Sequence, residues 1–98
     1  MNVNEISDQS IAEDLNTLIA SCRPYISKEG GDLAQHYLEH DELELAFEAL
    51  FLDLIEAHHI PPSLNINKWR NIGIHLHLHE ESVLEGDFWS KFVNFLGK

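Results

Sequence analysis

Leu43, Ala46, Phe47, Leu50, Phe51, Leu54 and Ile55 trace an unbroken apolar stripe at helical spacing, and no other stretch constrains the fold so strongly. Asp41 stands ahead of the stripe as an N-cap, with Glu44 three residues on. The stripe stops at His58-His59, before Pro61-Pro62, whose rings cannot continue a helical ladder. A helix is expected over about residues 42–58. Burying its two Phe and three large Leu side chains contributes roughly 1.5–3 kcal/mol each before entropy is charged, which places this helix at the centre of the core.

The flanking segments are also helical in pattern. Ile11, Leu15, Leu18, Ile19 and Cys22 recur at helical intervals behind Ser10 and Glu13, which have capping-box spacing; a start near Asp8 fits equally well. Pro24 and then Gly30-Gly31 mark a break, after which Asp32 and Gln35 have capping spacing and Leu33, Tyr37 and Leu38 share one side of a short helix ending near His40. Ser63 caps a fourth segment holding Ile66, Trp69, Ile72, Gly73 and Leu76. A last helix opens near Asp87 and lines up Phe88, Phe92 and Phe95, with Trp89 and Leu96 beside them.

Residues 74–79 carry the one conflicting signal. Ile74-His75-Leu76-His77-Leu78-His79 alternates as a strand does. Helix is the preferred reading, because no second strand-like run exists to satisfy the backbone of an isolated strand. The expected fold is all-α, a compact bundle of four to five helices, with residues 1–98 forming a single domain.

Seventeen acidic residues stand against six Lys and Arg, a formal net charge of −11. That balance argues against nucleic acid and against anionic membrane surfaces, both of which select for excess cations. It favours association with a positively charged protein. Cys22 is the only cysteine, so no intramolecular disulfide forms. The N-terminus lacks the basic start and apolar stretch of a signal peptide, and no apolar run approaches the roughly 20 residues that span a bilayer. A cytoplasmic location is expected.

Catalytic motifs are sparse. His75, His77 and His79 would share one face of a strand, and imidazoles are common zinc ligands, so a metal-binding protein or metalloenzyme is one alternative reading. In a helix His75 and His79 still face one way, as do His36 and His40, but no His-Glu-x-x-His pattern accompanies either pair. Solvent-facing histidines between core positions account for them. Cys22 lies on an apolar stripe, no Gly-x-Ser-x-Gly elbow is present, and Gly30-Gly31 lacks the rest of a phosphate loop. No catalysis, cofactor or required metal is expected.

The acids are unevenly placed. Glu29, Asp32, Glu39, Asp41, Glu42, Glu44, Glu48, Asp53 and Glu56 fall in a stretch without a single Lys or Arg. Like charges one helical turn apart, such as Glu44 and Glu48, cost roughly 0.2–0.5 kcal/mol, a cost that a cationic partner relieves. Rotating the third helix by about 100° per residue puts Leu45 and Leu52 opposite the core stripe, with Asp41, Glu48 and Glu56 around them. Such an arrangement has an apolar centre and a charged rim, as a protein-binding patch does, unless another part of the chain covers it.

The run Tyr37-Leu38-Glu39-His40-Asp41-Glu42-Leu43-Glu44-Leu45-Ala46-Phe47-Glu48-Ala49-Leu50 resembles the central helical motif of small immunity proteins of Maf-type and contact-dependent growth-inhibition toxin systems. Ile60-Pro61-Pro62-Ser63, leading into a helix, is also similar, and the resemblance spans about residues 33–76. It implies a cytoplasmic protein that binds and neutralises a cognate toxin domain, often a nuclease and so basic. On this reading Asp41, Glu44, Glu48, Asp53 and Glu56 supply charge complementarity and Leu45 and Leu52 an apolar anchor. A helical adaptor or regulatory subunit with a different partner fits the same residues.

Overall fold

The computed structural model describes residues 7–97. Its order is α1 (Asp8–Cys22), a single 3-10 turn (Arg23–Tyr25), α2 (Lys28–Glu39), α3 (Leu43–Ala57), α4 (Ile66–His75) and α5 (Phe88–Leu96). The fold is all-α, a bundle of five helices with no strand among the described residues.

Helix α3 is the axis of the bundle. It packs against α1, α2 and α5. Leu43, Ala46, Phe47, Leu50, Phe51 and Leu54 of the stripe are buried as expected, and Ala49 with them, while Ile55 at its end is half-buried. Phe47 and Phe51 meet Phe92 of α5 edge-on, with ring centroids 5.3 and 5.0 Å apart. Such pairs add about 0.5–1.5 kcal/mol beyond area burial. Trp69 of α4 closes the cluster, 5.7 Å from Phe51. Gly73 is required on α4 because the Trp89 ring lies against its backbone; a Cβ there would sit 2.6 Å from Cζ3 of Trp89.

Several helix starts differ from those read in the sequence. The α1 cap is Ser7, whose hydroxyl accepts from the Ser10 N–H at 3.1 Å while the Ser10 hydroxyl accepts from the Ser7 N–H at 3.2 Å. The helix therefore starts at Asp8, and Ser10 and Glu13 do not form the capping box. Helix α2 runs straight through Gly30-Gly31, from a Ser27 cap that displaces Asp32 and Gln35 from that role. Gly31, Ala34 and Leu38, spaced at three and four, form the buried face of α2, and Leu33 lies exposed outside it. Asn65, not Ser63, caps α4 by accepting from the Lys68 N–H at 3.0 Å.

Three helices end in one way. After α2 the Glu42 N–H bonds the Tyr37 carbonyl and the Asp41 N–H bonds the Leu38 carbonyl. After α3 the His59 and His58 N–H groups reach Leu54 and Ile55. Beyond α4 the Leu78 and His77 N–H groups reach Gly73 and Ile74. This is the crossed pair of bonds of a Schellman ending, with Asp41, His58 and His77 in the left-handed region at φ 59°, 53° and 64°. Glycine usually occupies that position; Asp and His are among the side chains that tolerate it. Asp41 is thus the pivot that ends α2, not the cap of α3.

The same geometry resolves residues 74–79. His75 is the last residue of α4, and the chain then turns. Leu76 and Leu78 are buried while His75, His77 and His79 are exposed. A hydrogen-bonded turn produces the alternation that a strand would have produced.

Candidate interaction surface

The row Leu45, Glu48, Leu52 runs along α3 at spacings of three and four, so the three side chains share one face. The structure does not leave that face open. Glu48 is 0% exposed. One carboxylate oxygen accepts from the Val83 N–H at 2.8 Å, and the other accepts from Leu84 at 3.1 Å and Glu85 at 2.9 Å. The loop between α4 and α5 is thereby tied across the middle of the row. Three donors from consecutive residues suit an acceptor-only carboxylate, and hydrogen bonds to a charged group are worth about 1.5–3 kcal/mol each. Glu48 is a structural clamp with no surface of its own exposed.

Asp53 also works inward. It accepts from the Ser27 N–H at 2.9 Å and from the Ser27 hydroxyl at 3.2 Å, which steadies the start of α2. Its carboxylate covers Gly30 so closely that a Cβ there would overlap it. This contact requires glycine at position 30, and the Arg23 guanidinium lies close over Gly31. Leu52 is half-buried and packs against the core, and Leu45 is half-buried beside it. Asp41, Glu44 and Glu56 are exposed, as the patch requires. Glu44 sits in the first turn of α3, where the helix dipole favours a negative charge, and Glu56 lies in the last, where it does not.

Of the nine acids between Glu29 and Glu56, Asp32 is paired, with Arg23 at 2.8 Å and Lys28 at 2.9 Å. Hydrogen bonds from Lys28 first, then Arg23, hold its carboxyl below the ordinary aspartate range. Glu29, Glu39, Asp41, Glu42, Glu44 and Glu56 are exposed. Among the described residues none of these six makes an ion pair with Lys, Arg or His. Glu39, Asp41, Glu42 and Glu44 crowd the corner between α2 and α3.

No family model, curated protein or solved structure matches the chain.

The His77 and His79 rings lie nearly parallel with centroids 6.4 Å apart, and those of His36 and His40 lie 4.4 Å apart. His75 lies 3.8 Å from Asp8, His77 bonds Glu80 at 2.9 Å, and His79 stands edge-on to Trp89 with ring centroids 6.0 Å apart. The hydrogen bond from His77 lowers the Glu80 carboxyl below its usual range. Among the described residues, no group of three or more His, Cys, Asp or Glu side chains is placed to hold a metal ion. Cys22 is buried, and burial pushes its thiol up, away from the reactive thiolate. No described helix is long and apolar enough to cross a membrane.

Two surface features went unread in the sequence. A groove of about 410 Å³ lies between the end of α3 and α5, walled by Ile55, Ile60 and Phe95 with His58, Lys91 and Asn94 at its edges. The second is the clamped loop, where Val83 and Leu84 are 55% and 40% exposed. The available signal was an apolar pair set between Glu80-Glu81-Ser82 and Glu85-Gly86-Asp87, in a segment with no helical period.

Proposed function

We propose that the chain is a binding protein of the immunity type, which neutralises a cognate toxin domain by docking an acidic helical surface onto a basic one. The observation that carries this reading is the set of exposed, unpaired carboxylates at Glu29, Glu39, Asp41, Glu42, Glu44 and Glu56. Clustered like charge lowers the stability of the free protein and is relieved by a cationic partner. Such a surface speeds encounter with a positive partner and suits the nucleic-acid-binding face of a nuclease. The likeness of residues 33–76 to immunity proteins points the same way. A cytoplasmic site of action goes with this reading, and neither catalysis nor a cofactor is part of it.

The contact set read from the sequence is narrowed here. Asp41, Glu44 and Glu56 remain candidates for steering, and Leu45 and Leu52 flank the contact. Glu48 and Asp53 act within the fold. The test expresses each product of the genes flanking its own, alone and together with this chain, and follows any that arrests growth with binding kinetics. Wild type should restore growth, and Asp41→Lys with Glu44→Lys should slow association and flatten its salt dependence. Unchanged association across a range of salt overturns the steering role. Tight binding to a non-toxic partner instead identifies an adaptor.

A further inference from the structure

The loop from Glu80 to Asp87 is unusual in what it spends to hold its shape. A fully buried carboxylate, Glu48, is committed to three successive N–H groups in it. Burying a charge is costly unless it is hydrogen-bonded in this way. What the clamp holds still is an apolar pair pointing outward, Val83 at 55% and Leu84 at 40% exposure. A loop fixed by its backbone while its apolar side chains remain in water is pre-organised for contact, since ordering it on binding costs little more.

The surroundings extend that contact. Glu85 pairs with Lys91 at 2.7 Å, and Lys91 also lines the groove formed by Ile55, Ile60 and Phe95. Knob and groove thus lie on either side of one ion pair. Glu80, Glu81, Glu85 and Asp87 are exposed around the loop, against Lys91 and the histidines His77 and His79. Asp87 lies 3.8 Å from Lys91, so that lysine is already engaged by two carboxylates. The rim is therefore acidic about an apolar centre. Glu44 precedes Glu48 by one turn of α3, and Glu56 follows it by two, so both border the same face.

We propose that Val83 and Leu84 are the apolar anchor of the interface, a rigid knob that enters an apolar cleft rimmed by Lys and Arg on the partner protein. This rests on the binding reading above and moves its centre from Leu45 and Leu52 to the loop tied to Glu48 between them. Glu48 is a positioning residue, acting through the backbone it holds.

The experiment measures binding of purified wild type and a Val83→Ser, Leu84→Ser double variant to the growth-arresting product of a flanking gene used in the test above. Both side chains are substantially solvent-exposed, so the variant should keep the wild-type melting temperature within a few degrees. Dissociation should accelerate by at least about tenfold with association nearly unchanged, because anchors act on residence time and rim charges on encounter. The reverse pattern is expected for Asp41→Lys with Glu44→Lys. Dissociation within twofold of wild type, with wild type binding tightly, overturns the anchor and leaves the binding reading standing. Failure of wild type to bind overturns both. Sedimentation of the free protein adds a further arm: a dimer that the double variant dissolves would show that a second copy of this chain covers the knob, which also overturns the proposal.

Discussion

Glu48→Gln exchanges one carboxylate oxygen for an amide nitrogen in a side chain with no exposed surface. The oxygen facing Leu84 and Glu85 takes two hydrogen bonds and the oxygen facing Val83 takes one. A glutamine keeps the most bonds by turning its carbonyl toward Leu84 and Glu85. Its NH₂ then confronts the Val83 N–H, donor against donor. One charge-assisted bond is lost and one N–H is left without its acceptor, a loss of about 1–3 kcal/mol, partly offset because no charge is buried any longer. Glu48→Ala removes all three bonds and leaves a void beside the core. The loop is near the surface and water can reach its amides, so the net cost is expected at about 2–4 kcal/mol rather than the sum of three bonds. For a domain of this size that lowers the melting temperature by about 10–20 °C. Amide hydrogen exchange separates the variants. Glutamine should release protection at Val83 first and keep it at Leu84 and Glu85, while alanine should release all three. Wild-type amides at 83–85 that exchange as fast as unstructured chain, or an alanine variant that melts with wild type, would refute the clamp.

Asp41, His58 and His77 hold left-handed backbone at the ends of three helices, so glycine at each should stabilise by about 0.5–1 kcal/mol, the Cβ strain relieved outweighing the added freedom of the unfolded chain; thermal melts that fall instead would count against the assigned endings. Gly73→Ala should cost about 1–3 kcal/mol despite alanine's better helix propensity, because its Cβ meets the Trp89 ring, and the tryptophan emission should shift with it. Asp32, lowered by Lys28 and Arg23, contributes stability that is full above its unfolded pKa of about 4 and is lost as pH falls through the lower folded value. Urea midpoints of wild type and Asp32→Asn should therefore differ at pH 6 and converge toward pH 2.

The helices were legible because burial has a period. The α3 stripe could face only inward, and α1 and α5 repeat the pattern. Their boundaries were harder to read, because Ser, Asp and Asn are scattered before every helix and any of several can cap. What selects one is backbone geometry: Ser7, Ser27 and Asn65 are extended and accept the N–H three residues on, whereas Asp41 has entered the left-handed region. Gly30-Gly31 read as a break because glycine costs about 1 kcal/mol within a helix. It lies inside α2 under two close neighbours, the Asp53 carboxylate, distant in sequence, over Gly30 and the Arg23 guanidinium over Gly31.

The burial of Glu48 was missed for a related reason. Rotating α3 correctly grouped Leu45, Glu48 and Leu52, and the row then resembled an apolar patch with an acidic rim. An acid flanked by leucines one turn away on both sides has two solutions: water, or donors brought to it by another part of the chain. Residues 79–87 make no regular structure, and their backbone N–H groups need acceptors wherever water is excluded. Pairing these two unsatisfied sets accounts for the contact between Glu48 and residues 35 to 37 positions away. Once Glu48 is spent on that loop, the exposed apolar pair on this face is no longer Leu45 and Leu52, both half-buried. It is Val83 and Leu84, whose backbone Glu48 holds while their side chains stay exposed.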